Sequence, residues 1–205
     1  MLDPHFVIFG SLFNLVGSAV YAYQTFKGET KPNRVTWLLW MLVPMIAFFA
    51  ELQEGVGLQS IMTFMIGFGP LIVLIASFLN KQSYWQVSKL DWLCGGLSVV
   101  ALLAWKVSGH GDVAIGFSVL ADALAGLPTL IKSLKNPETE HYTPYLFSAI
   151  SAGITLLTIS NWTFAYYAFP VYILFFGLGV AAVIHFRLGR LFGLCQKESV
   201  SSEMV

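Results

Sequence analysis

Long apolar runs separated by short polar breaks constrain this chain more than any other feature. The run MIGFGPLIVLIASFL, from Met65 to Leu79, is apolar on every side, and a helix of that kind is buried in a core or in lipid. Charged residues form only 11% of the chain, less than half of the roughly 25% that is typical of soluble domains. Alternating polarity, the pattern of a membrane β-barrel, is missing from the sequence. The sequence therefore predicts an all-α integral membrane protein.

The predicted protein has seven transmembrane helices. Apolar runs long enough to cross a bilayer lie at about 6–26, 35–52, 57–79, 91–108, 113–134, 144–160 and 163–186. The residues from Met1 to Phe6 contain neither Lys nor Arg, and no small-residue cleavage site follows them. We therefore expect the first run to be a retained helix and not a signal peptide.

The distribution of Lys and Arg predicts the orientation, because these residues are retained on the cytoplasmic side. Ten of the eleven follow odd-numbered helices: Lys27, Lys31, Arg34, Lys81, Lys89, Lys132, Lys135, Arg187, Arg190 and Lys197. Only Lys106 lies on the other side. We expect the N-terminus outside and the C-terminus in the cytoplasm of a bacterial-type inner or plasma membrane. The formal net charge of zero predicts no nucleic-acid partner.

An internal repeat is visible between the first three and the last three predicted helices. At an offset of 100, five residues of helix three recur in helix seven: Ser60, Thr63, Phe64, Pro70 and Leu74 match Ser160, Thr163, Phe164, Pro170 and Leu174. Helices two and six agree more loosely, where TWLLW at 36–40 faces TPYLF at 143–147. Shared composition of unrelated helices is the alternative explanation.

We expect a first three-helix repeat at 1–90, a linker helix at 91–110, a second repeat at 111–193 and a disordered cytoplasmic tail at 194–205. Because the linker crosses once, the two repeats are parallel and related by an axis along the membrane normal, a 3+1+3 arrangement.

The chain resembles the PQ-loop superfamily, which includes the SWEET sugar facilitators, their half-size bacterial versions and lysosomal amino-acid exporters. The likeness rests on the 3+1+3 topology and on the junction GSAVYAYQTFKGETKPNRVTWLLW at 17–40. The Pro-Gln pair of the family falls on Tyr23-Gln24 and on Pro128-Thr129, so each repeat keeps one of its two residues. The chain is also similar to uncharacterised bacterial membrane proteins. The resemblance implies alternating access between two three-helix bundles, with helix prolines as hinges. Pro44 and Pro128 are the candidates, and stable helix kinks are the alternative.

Polar stripes on several helices predict a central cavity, because polar side chains facing lipid are costly. Spacings of three and four residues place each stripe on one helix face. The stripes are Ser11, Asn14, Ser18 and Tyr21; Gln59 and Thr63, continued by Pro70; Ser118, Asp122 and Thr129; and Ser148, Ser151, Thr155 and Thr158. Close helix packing through small hydroxyl residues is the alternative.

Asp122 is the most informative single residue. It lies midway along predicted helix five, where a carboxylate costs roughly 2.5–3.5 kcal/mol on insertion scales. It therefore needs a partner, a proton or access to water, and it is either a ligand or proton-coupling site or a hydrogen-bonded helix clamp. Trp40 is a candidate for stacking on a solute. Trp37 fits the same role or that of an interfacial anchor. Glu51, His110 and Asp112 are expected to be solvated helix ends.

The leading hypothesis is a facilitator or proton-coupled carrier for a small neutral or zwitterionic solute, sugar-like or amino-acid-like. Its predicted contacts are Asn14, Ser18, Trp40, Asp122, Ser151 and Tyr167. The alternative is a seven-helix receptor, sorting or scaffold protein that binds a ligand without transport. An enzyme is not expected, because the four His residues lie at helix ends and no His/Glu or Cys cluster shares a helix face. Neither a metal nor a cofactor is predicted. The expected partners are the lipid bilayer and the solute, and whether the chain forms a homo-oligomer stays open.

Overall fold

The computed structural model describes residues 1–83, 85–108 and 110–194, and in these ranges the chain is helical, without a strand. The α-helices are α1 Phe6–Lys27, α2 Arg34–Gln53, α3 Ser60–Leu79, α4 Lys89–Ser108, α5 Gly111–Lys135, α6 Thr143–Thr158, α7 Phe164–His185 and the short α8 Leu188–Leu191. Short 3-10 turns lie at Lys81–Ser83 and Pro137–Thr139. The prediction of an all-α protein is confirmed, and the helix ends agree with the predicted ends to within about three residues.

Five helices, α1, α2, α3, α5 and α7, are long and apolar enough to cross a membrane. The apolar helix α6 has 16 residues. At about 1.5 Å per residue it extends over roughly 24 Å, which is less than the roughly 30 Å of a bilayer core. The chain is thus an all-helical protein with several membrane-spanning candidates, as expected for an integral membrane protein.

Local capping residues define the sharp junction between α1 and α2. Gly28 ends α1 with φ +81°, and its N–H donates to the carbonyls of Gln24 and Thr25. Only glycine adopts this left-handed conformation without strain. The side chain of Asn33 then accepts from the backbone N–H groups of Val35 and Thr36, which caps α2. The two helices are consequently joined by a short, defined loop.

The helices pack in two similar sets. Helix α3 packs against both α1 and α2, and helix α7 packs against both α5 and α6. Across the molecule, α1 lies against α6 and α2 lies against α5, while α4 packs mainly on α5. At the contact of α6 with α7, a Cβ added to Gly177 would come within 2.6 Å of the carbonyl of Tyr145. Glycine is therefore required for this close approach, which lies beside the cavity described below.

Loops meet at both ends of the helix bundle. At one end, which we call the basic end after Lys27, Lys31 and Lys135, the segments 28–33, 80–83, 85–88 and 136–142 lie together. There the N–H of Lys31 donates to the carbonyl of Thr139 over 3.0 Å, and the N–H of Trp85 donates to Pro32. At the opposite end, the N–H of Leu2 donates to the carbonyl of Leu157 over 2.9 Å. The predicted tail falls outside the described residues from 195 onwards.

Four prolines lie inside helices: Pro44 in α2, Pro70 in α3, Pro128 in α5 and Pro170 in α7. All four are buried. Pro70 lies ten residues after the first residue of α3, whereas Pro170 lies six residues after the first residue of α7. The sequence identities at offset 100 therefore do not place the two prolines at equal distances from their helix starts.

Candidate solute-binding cavity

A small cavity lies at the centre of the bundle, and each of α1, α2, α3, α5, α6 and α7 contributes to its wall. Its lining residues are Asn14, Ser18, Trp37, Trp40, Ile66, Pro70, Asp122, Pro144, Tyr145, Ser148, Ile173, Phe176 and Gly177. The volume is about 50 Å³. This volume is small beside the roughly 300–1,000 Å³ of ordinary ligand pockets, so the cavity suits a small ligand.

Asn14 lines the cavity and carries an unpaired hydrogen-bond acceptor among the described residues. Its Nδ2 donates to Oγ of Ser148 over 2.8 Å, and that hydroxyl donates to the carbonyl of Pro144 over 2.7 Å. Because Ser148 uses its one proton on Pro144, it accepts from Asn14, and this fixes the orientation of the amide. Oδ1 of Asn14 is buried and has no hydrogen-bond partner among the residues that the structure describes. The α1–α6 contact thus leaves one carbonyl oxygen unpaired.

Asp122 contributes the second acceptor. The carboxyl group is 2% exposed, and its Oδ2 accepts from the hydroxyl of Tyr172 over 2.8 Å. The indole N–H of Trp40 donates to the backbone carbonyl of Asp122 over 3.2 Å. Oδ1 finds no protein partner within residues 1–83, 85–108 and 110–194. Tyr172 and Trp40 therefore hold Asp122 from α7 and α2 and leave one carboxyl oxygen available.

Aromatic rings form the remaining polarisable wall of the cavity. Trp40 makes edge-to-face contacts with Trp37, Tyr145 and Phe176, with ring centroids 5.4, 6.1 and 5.9 Å away. Trp37 also packs on Tyr21, at 4.8 Å. The indole N–H of Trp37 is buried and unpartnered in the described part of the chain. This aromatic cluster separates the cavity from the basic end.

A buried ion pair lies on the basic-end side of the aromatic cluster. Nζ of Lys132 contacts Oε1 of Glu140 at 2.6 Å, and Nζ also donates to the carbonyl of Lys31. The other carboxyl oxygen, Oε2, accepts from the hydroxyls of Tyr21 and Tyr145 at 2.6 and 3.2 Å. We call these four side chains, Tyr21, Lys132, Glu140 and Tyr145, the ion-pair cluster. It ties α1, α5 and α6 together.

The structure brings four of the six predicted contacts to the cavity, namely Asn14, Ser18, Trp40 and Asp122. Ser151 does not line it: its backbone lies against Gly10 of α1, one helical turn from Ser148. Tyr167 lies near the start of α7, packed with Trp162 and Phe164. The proposed hinges Pro44 and Pro128 are buried outside the cavity wall.

Sequence reasoning did not predict a role for Tyr145, Tyr172 or Glu140, nor the pairing of Lys132. It did place Tyr21 on the polar face of Asn14 and Ser18. Lys132 and Glu140 gave no comparable signal, because Lys132 lies in α5 and Glu140 in the loop that follows, so they share no helix face.

The expectation that Glu51 is a solvated helix end is wrong. Its side chain is 2% exposed, because it points from the end of α2 towards α3. Oε1 accepts from the hydroxyl of Thr63 over 2.9 Å, and Oε2 has no partner within the described ranges. Asp112 and His110, by contrast, are exposed.

No protein-family model matches the chain, and neither a curated protein nor a solved structure matches it significantly. The function must therefore be argued from the cavity itself.

Proposed function

We propose that the chain is a membrane facilitator or proton-coupled carrier for a small polar solute. It works by alternating access between two three-helix bundles, α1–α3 and α5–α7, with α4 as the linker helix. The observation that carries this proposal is a small cavity with walls from all six of these helices, lined by Asp122, whose buried Oδ1 has no hydrogen-bond partner in the described part of the chain. Ligand sites in membrane carriers lie near the bilayer midplane between such repeats.

The helix packing supports the two-bundle arrangement. Helix α1 contacts α6, and α2 contacts α5. A two-fold rotation that places α1 on α5 and α2 on α6 converts the first contact into the second. The same operation exchanges the two flanked helices, α3 and α7. An axis of this kind runs along the membrane normal when the two repeats are parallel. A rocking motion about it would open the cavity to one side and close it to the other.

Burial of the cavity wall supports a conformation with little access to the site, because Asn14, Trp40 and Asp122 are at most 6% exposed. Two lining residues, Trp37 and Tyr145, contact side chains of the ion-pair cluster on the side of the basic end. Two others, Ile66 and Ile173, belong to an apolar cluster that includes Val7 and Phe169. A cavity of about 50 Å³ takes a small solute only, and larger solutes would require the bundles to separate.

Uptake into proteoliposomes tests the proposal. Radiolabelled sugars, amino acids, amides and amines are offered at two pH gradients to the native protein, to Asp122→Asn and to Asp112→Asn. Asp112 lies on the same helix and is exposed, so Asp112→Asn is the matched control for loss of an α5 carboxylate. We expect saturable uptake of at least one solute, lost in Asp122→Asn and kept in Asp112→Asn.

Binding without uptake in a well-folded protein would contradict the carrier proposal and favour the receptor or sorting class. Uptake that is the same in all three proteins would contradict the role of Asp122 and leave a carrier with a different site.

The proposed orientation has the N-terminus outside and the basic end in the cytoplasm. Single cysteines at two exposed loop positions, Glu29→Cys at the basic end and Glu54→Cys at the opposite end, test it in a variant from which Cys94 and Cys195 are removed. A membrane-impermeant maleimide added to intact cells should label the cysteine at position 54 and spare the one at 29. The reverse pattern would overturn the orientation.

A further inference from the structure

We propose that the cavity binds a small organic cation with N–H donors, an alkylammonium or guanidinium ion, in preference to neutral or zwitterionic solutes of equal size. The transport of this cation rests on the proposed function, whereas its binding does not. This inference narrows the range of polar solutes that the sequence left open.

Unpaired polar atoms of the lining residues are mostly acceptors. Buried atoms without protein partners among the described residues are two oxygens, Oδ1 of Asn14 and Oδ1 of Asp122, and one donor, the indole N–H of Trp37. Buried polar groups are nearly always paired in folded proteins. A ligand that brings donors satisfies more of this site than a ligand that brings acceptors.

The charge of the lining residues also favours a cation. None of the described residues that line the cavity is Lys, Arg or His, whereas one of them, Asp122, is a carboxylic acid. The carboxylate of a zwitterion would thus enter a site with no cationic partner, at a high desolvation cost. A cation instead forms a charge-assisted hydrogen bond to Asp122, which is shorter and stronger than a neutral one.

The aromatic wall of the cavity is suited to a cation as well. Trp37 and Trp40 meet nearly at right angles, with an interplanar angle of 82°, and Phe176 is at 81° to Trp40. Rings in this arrangement present faces and edges to one small volume. Ring faces attract alkylammonium and guanidinium ions, with Trp the most effective. The wall therefore favours an organic cation over a sugar, because the many hydroxyl groups of a sugar would find few hydrogen-bond partners in the cavity.

Size favours a small ligand. A volume of about 50 Å³ suits guanidinium, methylammonium or ethylammonium better than a hexose. Guanidinium and urea have the same number of non-hydrogen atoms and nearly the same shape, and they differ in charge. They are therefore the matched pair of probes for this site.

The experiment measures equilibrium binding of radiolabelled guanidinium, methylammonium, urea and glycine to the purified protein in nanodiscs. We expect guanidinium to bind at least about tenfold more tightly than urea, which corresponds to one hydrogen bond to a charged group. Asp122→Asn should remove this preference, and Asp112→Asn should retain it. Tighter binding of urea or glycine to the native protein, or no binding of either cation, would overturn the proposal.

A second pair of variants keeps the test valid if Asp122→Asn does not fold. Trp37→Phe keeps an aromatic face, and Trp37→Leu removes it. Guanidinium binding should weaken roughly three- to thirty-fold more in Trp37→Leu than in Trp37→Phe, while urea binding should change equally in both. Equal losses of guanidinium binding in the two variants would contradict the aromatic contribution.

Flux measurements separate this proposal from the proposed function. If guanidinium binds but does not cross proteoliposomes, the carrier proposal fails and the cation site stands. If glycine or another neutral or zwitterionic solute is carried and no cation binds, the cation site fails and the carrier proposal stands.

Discussion

Each end of the bundle buries a carboxylic acid, but with very different partners. At the basic end, Glu140 accepts from Lys132, Tyr21 and Tyr145. At the opposite end, Glu51 accepts one hydrogen bond, from Thr63, and no basic side chain contacts it in the described structure. Glu140 is therefore a fully paired charge, and Glu51 is a nearly isolated acid.

This difference indicates how each end is held together. Desolvating an ion costs several kcal/mol, and only good pairing offsets it. Glu140 has such pairing, and because its partners belong to α1, α5 and α6, it acts as a clamp between the two helix sets. Glu51 and Thr63 join only α2 and α3, neighbours along the chain. The basic end is thus fixed by polar contacts and the opposite end mainly by apolar packing.

The largest expected effect comes from the same substitution at the two ends. Glu140→Gln leaves Lys132 buried without its counter-ion, so we expect a loss of about 3–5 kcal/mol in the free energy of unfolding. Glu51→Gln keeps an acceptor for Thr63 and removes a nearly isolated acid, so its stability should change by less than about 1 kcal/mol. Reversible denaturation in mixed detergent measures both.

The control for Glu140 replaces the whole pair. Lys132→Met combined with Glu140→Leu removes both charges, and apolar replacements of buried ion pairs are often neutral or stabilising. The double variant should recover most of the stability lost by Glu140→Gln. A double variant as unstable as the single one would show that the charges are not coupled.

A smaller effect separates the two tyrosines of the ion-pair cluster. Tyr21 contacts Glu140 at 2.6 Å and Tyr145 contacts it at 3.2 Å. Tyr21→Phe should cost about 1.5–3 kcal/mol, the range for hydrogen bonds to charged groups, and Tyr145→Phe should cost less. Because Tyr145 also lines the cavity, only its variant should alter solute binding. The same denaturation assay and the binding assay above compare the two, and equal costs would contradict the distances.

At the opposite end, Thr63→Val tests the one hydrogen bond of Glu51. The change preserves the shape of the side chain and removes the donor, which should cost about 1 kcal/mol. The matched variant is Thr63→Ser, which keeps the hydroxyl and should restore part of that loss. If Thr63→Val also abolished solute uptake, the view of Glu51 as a structural acid would be contradicted.

The smallest effect is a pH dependence at the basic end. Nδ1 of His141 accepts from the N–H of Thr143 and contacts its hydroxyl at 2.6 Å, and burial lowers the pKa of His141 below its usual value. The folded chain therefore binds fewer protons here than the unfolded chain, and stability falls as pH drops through the usual value of about 6.5.

Because the ring is partly exposed, the expected loss is a few tenths of a kcal/mol. His141→Asn keeps an acceptor and does not titrate, so its melting temperature should vary less between pH 7.5 and pH 5.5 than that of the native protein. An unchanged pH dependence would assign the effect to another group.

Much of the fold followed from the sequence because its signals are local. The ends of the seven long helices are marked by the change from apolar to polar residues, and the structure agrees with them closely. Asn14, Ser18 and Asp122 were found because polar residues on an apolar helix are costly and helical spacing gives their common face.

Helical spacing and apolar length do not predict which neighbouring helix each face contacts. Ser148 and Ser151 belong to one polar stripe, yet Ser148 lines the cavity and Ser151 packs against Gly10. The difference depends on how α1 crosses α6. The spacing of residues within α6 does not predict this crossing. Tyr172 as the partner of Asp122 likewise depends on the rotation of α7.

The sequence by itself determined that this chain is an all-helical membrane protein, where its helices begin and end, and that one carboxylate lies in the middle of an apolar helix. Only the tertiary structure decided that Glu51 is buried, that Lys132 and Glu140 form an ion pair, and that the central cavity is small. The physical reason is that apolar length and helical period are properties of a segment, whereas pairing and volume are properties of the contacts between segments.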